Sequence, residues 1–283
     1  MPLGRDSLVA AATFVNEPSN MSFKRGTTLE TTSAAYTIQE QISLRGTATV
    51  YRATDSGGNV QAIKVLHRER TTTAGFKRFH DEILFCSSIA HRNVIRVKDR
   101  GLTEAAEPFY VMQHYSGTLR QLIRHGVEPT SVLRLFGQML DGVEAAHLKR
   151  VWHGDLKPEN VLYDNATEIL VIADFGIARC EDGNLRSGVG ANSGEQRANL
   201  PCAAPEHRIR GPEVSAAADV CALGLILNEM FTGRVPLGSG YRRIAAVAPE
   251  FAHLDGIVDR MIQPAGATHL DSVTSVKEQI FLS

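Results

Sequence analysis

The polar residues best suited to chemistry lie in two short stretches, one on each side of an apolar run. Asp155, Lys157 and Asn160 fall within HGDLKPEN, and Asp174 opens a DFG tripeptide after the apolar residues 169–172. Transfer of a phosphoryl group needs a carboxylate that orients the attacking hydroxyl, a cation near the moving phosphate and oxygen ligands for magnesium. The residue types and their spacing predict that chemistry.

These two stretches resemble the catalytic and metal-binding loops of the protein kinase family. Further motifs of the family occur in the expected order. Lys64 lies in an A-x-K sequence, Glu82 follows it on a helical pattern, and an A-P-E sequence occupies residues 204–206. Asp219 opens an apolar helical pattern and resembles the buried aspartate that binds the backbone of the family's catalytic loop. The resemblance covers roughly residues 36–281.

The resemblance implies an α+β fold with two lobes, a small β-rich N-lobe and a larger helical C-lobe. Short β-rich segments begin at residue 36, and a period near 3.6 in residues 131–150 predicts a helix with one buried face. We therefore expect a loosely ordered extension over residues 1–35, the N-lobe over 36–112, a hinge over 113–117 and the C-lobe over 118–283.

The resemblance also implies a role for each catalytic residue. Asp155 would orient the substrate hydroxyl and accept its proton, and Lys157 would steady the γ-phosphate. Lys64, paired with Glu82, would hold the α- and β-phosphates of ATP. The metal ligands would be Asn160 and Asp174, with Mg²⁺ as the ion and Mn²⁺ as the alternative.

A further set of residues is implied to contact the nucleotide. They come from the glycine-rich loop, the apolar roof over the adenine, the hinge and the floor of the cleft between the lobes. These residues are Ser43, Arg45, Gly46, Val50, Ala62, Lys64, Met112, Gln113, Tyr115 and Leu162.

The chain departs from the family pattern in its glycine-rich loop and its catalytic loop. The pattern G-x-G-x-x-G-x-V falls on residues 43–50, where Ser43, Arg45 and Ala48 replace the glycines and Gly46 offers one alternative. The family's H-R-D is here H-G-D, so Gly154 replaces the arginine that usually receives an activation-loop phosphate.

Two further departures concern the substrate side of the C-lobe. Asn199 stands where serine/threonine kinases have a threonine before A-P-E. The arginine that normally pairs with the A-P-E glutamate, Glu206, is absent, since QPAGAT at residues 263–268 occupies its place. These changes bear on peptide docking and leave the phosphate chemistry unaffected.

Composition narrows the choice of compartment and partners. The 283 residues include 30 Lys plus Arg and 31 Asp plus Glu, so the net charge of −1 gives no support for a nucleic-acid partner. No apolar run is long enough for insertion into a membrane. The four cysteines lack C-x-x-C spacing, which predicts free thiols. We expect a cytoplasmic protein with access to ATP; the oligomeric state is left open.

Three functions fit these observations. The first is a serine/threonine protein kinase that acts on a protein substrate, as the filled catalytic positions and Lys157 indicate. The second is a pseudokinase, a nucleotide-binding or scaffold module, which the altered glycine loop and the missing partner of Glu206 favour. The third is a small-molecule phosphotransferase, because H-G-D also occurs in aminoglycoside and choline kinases.

Overall fold

The computed structural model describes residues 22–175, 179–180, 215–236, 240–262 and 270–282. Its N-terminal part is a six-stranded antiparallel sheet with the strand order β1-β2-β3-β4-β6-β5. The strands are β1 (Thr28–Glu30), β2 (Ala35–Arg45), β3 (Ala48–Asp55), β4 (Val60–Leu66), β5 (Val97–Leu102) and β6 (Pro108–Gln113). Helix α1 (Thr73–Ser88) connects β4 to β5, and its N-terminus is capped by the Thr72 hydroxyl.

The sheet curls so far that residues near its two edges meet. Asp99 on the edge strand β5 accepts hydrogen bonds from Thr31 Oγ1 at 2.6 Å and from the Tyr36 hydroxyl at 3.0 Å. A Cβ at Gly101 would lie 2.6 Å from the Phe109 ring and 3.1 Å from the carbonyl oxygen of Glu30. Only glycine therefore permits this close approach. The curled sheet encloses its own apolar cluster, formed by Leu29, Tyr36, Ile38, Tyr51, Ala53, Ile63, Val65, Phe109 and Val111.

Strand β1 corrects the sequence prediction for the N-terminus. It lies inside the stretch 1–35 that was expected to be a loosely ordered extension, and it pairs with β2 through Leu29 and Tyr36. Three residues are too few to display the alternation that identifies a strand, although Leu29 is buried between two exposed neighbours. Residues 1–21 of the predicted extension lie outside the described residues.

The C-terminal part is mainly helical. Its helices are α2 (Leu119–His125), α3 (Pro129–Leu148), α4 (Ala216–Thr232), α5 (Leu254–Ile262) and α6 (Val273–Phe281). Helix α3 confirms the helix predicted over 131–150, and its Gly142 lets the backbone at Asn93 approach, since a Cβ there would lie 2.5 Å from the Asn93 oxygen. Within the described ranges, no helix has the length and apolar character needed to cross a membrane.

Short strands lie beside the residues that are predicted to be catalytic. Strand β7 (Gly117–Thr118) precedes α2, whereas β8 (Val151–Trp152), β9 (Val161–Asp164), β10 (Ile169–Ile172) and β11 (Arg179–Cys180) lie between α3 and α4. Strands β9 and β10 form an antiparallel hairpin that β7 extends, and β8 pairs with β11. The loop that carries Asp155 joins β8 to β9, and Asp174 follows β10. The hairpin therefore fixes the spacing between the two motifs.

The cysteines agree only in part with the thiols predicted from sequence. Cys86 on α1 is a buried free thiol. Cys221 on α4 is instead disulfide-bonded, so the prediction of free thiols is wrong at this residue. Sequence spacing could not reveal this, because disulfide formation depends on which residues the tertiary fold brings within bonding distance.

Candidate active site

Asp219 holds the backbone of the catalytic loop. Its Oδ2 accepts from the backbone N–H of His153 at 2.8 Å, and its Oδ1 accepts from the backbone N–H of Gly154 at 2.8 Å. His147 on α3 also contacts Oδ2, at 2.9 Å. The carboxylate is 1% exposed, and it satisfies N–H groups that would otherwise be buried without partners. The predicted role of Asp219 is confirmed.

His153 links the catalytic loop to the DFG segment. Its Nδ1 accepts from the backbone N–H of Asp155 at 3.3 Å, so its Nε2 carries the proton and donates to the carbonyl of Ala173 at 2.9 Å. Its ring also packs on Phe175, with centroids 4.8 Å apart, and Phe175 packs on Phe85 of α1 at 4.7 Å. One histidine thus connects Asp155, the DFG segment and α1.

The residue at the family's arginine position has a backbone that favours glycine. Gly154 has φ of 73°, in the left-handed region where a Cβ costs about 1–2 kcal/mol. Glycine at this position therefore suits the local backbone, as well as removing the arginine.

Asp155, Lys157 and Asn160 form one polar cluster. The Lys157 ammonium lies 2.6 Å from Asp155 Oδ2, and Asn160 Nδ2 donates to the carbonyl oxygen of Asp155 at 2.8 Å. Asn160 is buried, whereas about a third of the Asp155 side chain (34%) and 45% of the Lys157 side chain are exposed. The carboxylate is therefore fixed by its neighbours and still accessible to a substrate hydroxyl.

Asp174 is held in a strained backbone conformation beside this cluster. The N–H of Ala173 donates to the carbonyl of Asn160 at 2.9 Å, which ties the two motifs together. Asp174 has φ of 67°, an uncommon value for a residue with a side chain. Strain of this kind persists where the surroundings enforce it, often at functional sites.

Lys64 lies between two carboxylates. Its ammonium donates to both oxygens of Glu82, at 2.9 and 3.0 Å, and to Asp174 Oδ1 at 2.8 Å. The Glu82 side chain is 1% exposed, and that of Asp174 is 50% exposed. In the structure, Lys64 and Glu82 thus form the ion pair that the sequence predicted, and Asp174 also accepts a hydrogen bond from Lys64.

The charges in this group shift one another's pKa values. Burial lowers the pKa of Lys64, but Asp174 and Glu82 outweigh burial and hold it well above the ordinary value. The Lys64 charge lowers the pKa of Asp174 to about 2. Burial raises the pKa of Glu82, and Lys64 only partly counters it. Lys64 therefore stays cationic and Asp174 anionic at neutral pH.

The residues predicted to contact adenine lie around one apolar cluster. Ala62 and Met112 are paired across β4 and β6 and are buried in it. Val50, Tyr115 and Leu162 pack against the same cluster and are only partly buried. Gln113 ends β6 and is exposed. These positions are compatible with a flat apolar ligand between sheet and hairpin, and their contacts with a nucleotide stay a prediction.

The altered glycine loop is a tight hairpin. Ser43 pairs with Val50, and Arg45 pairs with Ala48, which leaves Gly46 and Thr47 as the turn. Gly46 has φ of 54°, a value that glycine adopts without the steric penalty that a Cβ would cause. The N–H of His67 donates to the carbonyl of Thr47 at 2.8 Å and ties the turn to the end of β4. The Arg45 side chain lies outside the described part of the structure.

Three polar contacts near the site were not predicted from the sequence. The Tyr110 hydroxyl on β6 donates to Glu82 at 2.9 Å. Arg120 on α2 donates to Glu159 in the catalytic loop at 2.6 Å and also to Glu229 on α4. A tyrosine within an apolar strand was the one available signal for the first contact.

Of the other predicted features, A-P-E at 204–206, Asn199 and residues 263–268 lie outside the described residues.

The oxygen atoms present suit a hard divalent cation. Asn160 uses Nδ2 to bond Asp155, so its Oδ1 is the atom that would ligate an ion, together with the half-exposed carboxylate of Asp174. Among the described residues, no group of three or more His, Cys, Asp or Glu side chains could hold a metal. Two protein oxygens are what Mg²⁺ needs when substrate phosphates and water complete its coordination.

Comparisons with known proteins identify the family. A family model described as the protein kinase domain matches residues 36–263. Serine/threonine-protein kinase PknL of Mycobacterium tuberculosis is 30% identical over 234 residues, which cover 78% of this chain and 57% of PknL. Serine/threonine-protein kinase PrkC of Bacillus subtilis is 31% identical over 210 residues, which cover 72% of this chain and 31% of PrkC. The chain thus spans only part of the length of these relatives.

A solved structure supports the same conclusion for the fold. The crystal structure of the Mycobacterium tuberculosis PknI kinase domain, as a double mutant, matches with a TM-score of 0.67 and 24% identity. The match covers 92% of this chain and 98% of the PknI chain. The predicted α+β, two-lobed fold is confirmed. This protein belongs to the protein kinase domain family.

Proposed function

We propose that this protein is a serine/threonine protein kinase that transfers the γ-phosphate of ATP, with Mg²⁺, to a hydroxyl of a protein substrate. The observation that carries the proposal is the bonding of Lys64 to both Glu82 and Asp174. A buried lysine bonded to two carboxylates from different parts of the chain has little value for stability alone. It has a clear use as a fixed cation for a polyphosphate.

The other side chains of the site fit the remaining tasks. Asp155 orients the acceptor hydroxyl and takes its proton as the new bond to phosphorus forms. Lys157 stands 2.6 Å from that carboxylate and places positive charge beside the transferring phosphate. Asn160 and Asp174 would hold Mg²⁺, which, when bound, neutralises charge on the phosphate oxygens. Positioning and charge supply most of the catalysis in this reaction class.

Further observations bear on the acceptor and on the compartment. The relatives are named as serine/threonine-protein kinases, and Lys157 is typical of that class. A cytoplasmic location would give the site access to ATP. The near-neutral charge of the chain favours a protein acceptor over nucleic acid as the macromolecular partner.

A nucleotide-binding module without transfer activity is the second candidate. The observation that favours it is the side chain at each of the three glycine positions, 43, 45 and 48. Each Cβ limits how closely the hairpin backbone can approach a phosphate. This change affects the affinity for the nucleotide, however, and leaves Asp155, Asn160 and Asp174 in place.

Identification of the acceptor separates these functions. Purified protein is incubated with γ-labelled ATP and Mg²⁺ or Mn²⁺, in separate reactions with a generic basic protein, an aminoglycoside or choline as the acceptor, and the labelled product and labelled amino acids are identified. We expect label on serine and threonine, and its loss in Asp155→Asn. ATP binding by calorimetry without any transfer would support the nucleotide-binding module, and label on an aminoglycoside or choline alone would support a small-molecule kinase.

A further inference from the structure

Tyr110 combines burial with a polar contact to the catalytic pair. It lies on β6 directly across from Lys64 on β4, and it is only 2% exposed. Its hydroxyl donates to Glu82 Oε1 at 2.9 Å. Glu82 is on α1, so this bond joins β6, which lies between β4 and the edge strand β5, to the helix that carries the glutamate.

The charges around Lys64 explain why Glu82 benefits from a second donor. The Lys64 ammonium donates hydrogen bonds to both Glu82 and Asp174, and of these two carboxylates Glu82 is the one that is buried away from water. Any movement of Lys64 toward phosphate oxygens weakens its bonds to Glu82. A buried carboxylate with too few hydrogen-bond donors strongly destabilises the folded protein. The Tyr110 hydroxyl would remain bonded to Glu82 through that movement.

The Tyr110 ring takes part in the same arrangement. The Lys64 ammonium lies 5.7 Å from the Tyr110 ring centroid and 5.8 Å from that of Phe79, which is also on α1. The two rings pack with centroids 5.4 Å apart. Ring and hydroxyl thus hold α1 by an apolar and a polar contact, while both aromatic rings lie within cation–π distance of the ammonium.

We propose that Tyr110 is a positioning residue for phosphoryl transfer, whose hydroxyl fixes the Glu82 carboxylate so that Lys64 stays aligned toward the ATP phosphates. The proposal rests on the proposed kinase function. Burial raises the pKa of Tyr110 well above its ordinary value, and the charge of Glu82 adds to the effect. The hydroxyl therefore keeps its proton and remains a donor at neutral pH.

The test removes single hydroxyl groups from two buried tyrosines of the same sheet. Tyr110→Phe deletes the donor to Glu82 and keeps the ring. Tyr51→Phe is the matched control, since Tyr51 is fully buried on β3 and its hydroxyl accepts from the backbone N–H of Phe23 at 3.2 Å. We expect Tyr110→Phe to raise the KM for ATP about tenfold with a smaller change in kcat, because binding of the phosphates is what weakens. Tyr51→Phe should stay within twofold of wild type in both constants.

A double-mutant cycle then assigns the effect to Glu82. The Kd for Mg·ATP is measured by calorimetry for Tyr110→Phe, Glu82→Ala and the double variant, with folding checked by circular dichroism. If the hydroxyl acts through Glu82, Tyr110→Phe should weaken binding less than twofold further in the Glu82→Ala background. Additive losses, or a Tyr110→Phe variant with wild-type KM and Kd, would overturn the proposal.

The kinase function and the role of Tyr110 are refuted by different results. A wild-type protein that binds ATP and transfers nothing would refute the kinase function, and the Kd comparison would still decide whether the Tyr110 hydroxyl acts through Glu82 in the binding of ATP. A wild-type protein that does not bind ATP would refute both.

Discussion

At the scale of single residues, the site depends on side chains that sit in unfavourable surroundings. Lys64 and Glu82 are buried charges, and Asp174 has φ of 67°. Without the compensating contacts of this site, each of these features would lower the free energy of unfolding. Together these features fix two carboxylates and a cation around the place where a phosphate would bind. A function in phosphate binding would explain why the protein tolerates their cost in stability.

The left-handed conformation of Gly154 gives a stability prediction. Gly154→Ala should lower the free energy of unfolding by about 1 kcal/mol, because a Cβ is strained at this φ. The matched control is Gly256→Ala on α5, where nothing lies within 4 Å of the new Cβ and φ is not positive. That change should be neutral or stabilising by up to about 1 kcal/mol. Urea denaturation measures both; equal stability of Gly154→Ala and wild type would contradict the strain argument.

At the scale of elements, the β2–β3 hairpin, the curled sheet and the catalytic loop each position part of the site. The catalytic loop has its N–H groups bonded to Asp219 on α4, and the hairpin turn is tied to β4 through Thr47. The sheet is closed by Asp99 on its edge strand. Contacts between distant elements therefore hold short segments that have little stability of their own.

The hairpin leads to a prediction about nucleotide affinity. Changing Ser43, Arg45 and Ala48 together to Gly should lower the KM for ATP about tenfold, about 1.4 kcal/mol, with little change in kcat. The reason is that glycine lets the backbone N–H groups approach the phosphates more closely. A steady-state ATP titration of both proteins at saturating Mg²⁺ provides the comparison. An unchanged or higher KM in the triple variant would show that the native side chains already support ATP binding.

The closure of the sheet leads to a prediction about alkaline stability. Burial and the hydrogen bond to Asp99 raise the pKa of Tyr36 from its ordinary value of 10.0 to about 12. Because the folded state holds this proton more tightly, the contribution of Tyr36 is complete below pH 10 and is lost as the pH rises toward 12. Tyr36→Phe should therefore be less stable than wild type at pH 8, by about 1 kcal/mol, and the difference should shrink above pH 10. Thermal denaturation at both pH values measures it; a difference that does not change with pH would contradict this role.

At the scale of the whole molecule, the sequence predicted the order of elements better than the contacts between them. The helix over 131–150 could be predicted from its periodicity, and the pairing of Lys64 with Glu82 was implied by the resemblance of their motifs to those of the protein kinase family. The contact of Tyr110 with Glu82 could not, because it depends on the register of β4 against β6 and on how α1 packs against the sheet. Strand β1 was missed because three residues carry no period. The bonded state of Cys221 and the bridge from Arg120 to Glu159 and Glu229 depend on tertiary approach, which no local pattern encodes.

We propose that residues from both parts of the molecule form one site for phosphoryl transfer. The rate of transfer from labelled ATP is therefore measured for wild type, Asp155→Asn, Asp174→Asn and Lys64→Met. The matched control is Asp141→Asn, since Asp141 is a half-exposed carboxylate on α3 that pairs with Lys277 at 2.8 Å. A pair whose carboxylate is half-exposed to solvent contributes little to stability.

We predict that the three site variants lose most of the transfer activity, that Asp155→Asn loses on the order of 10²–10⁴ in rate, and that Asp141→Asn keeps the wild-type rate. Asp174→Asn should also remove the dependence of nucleotide binding on Mg²⁺. Near wild-type transfer by all three site variants, in preparations of equal purity, would contradict the assignment of the site.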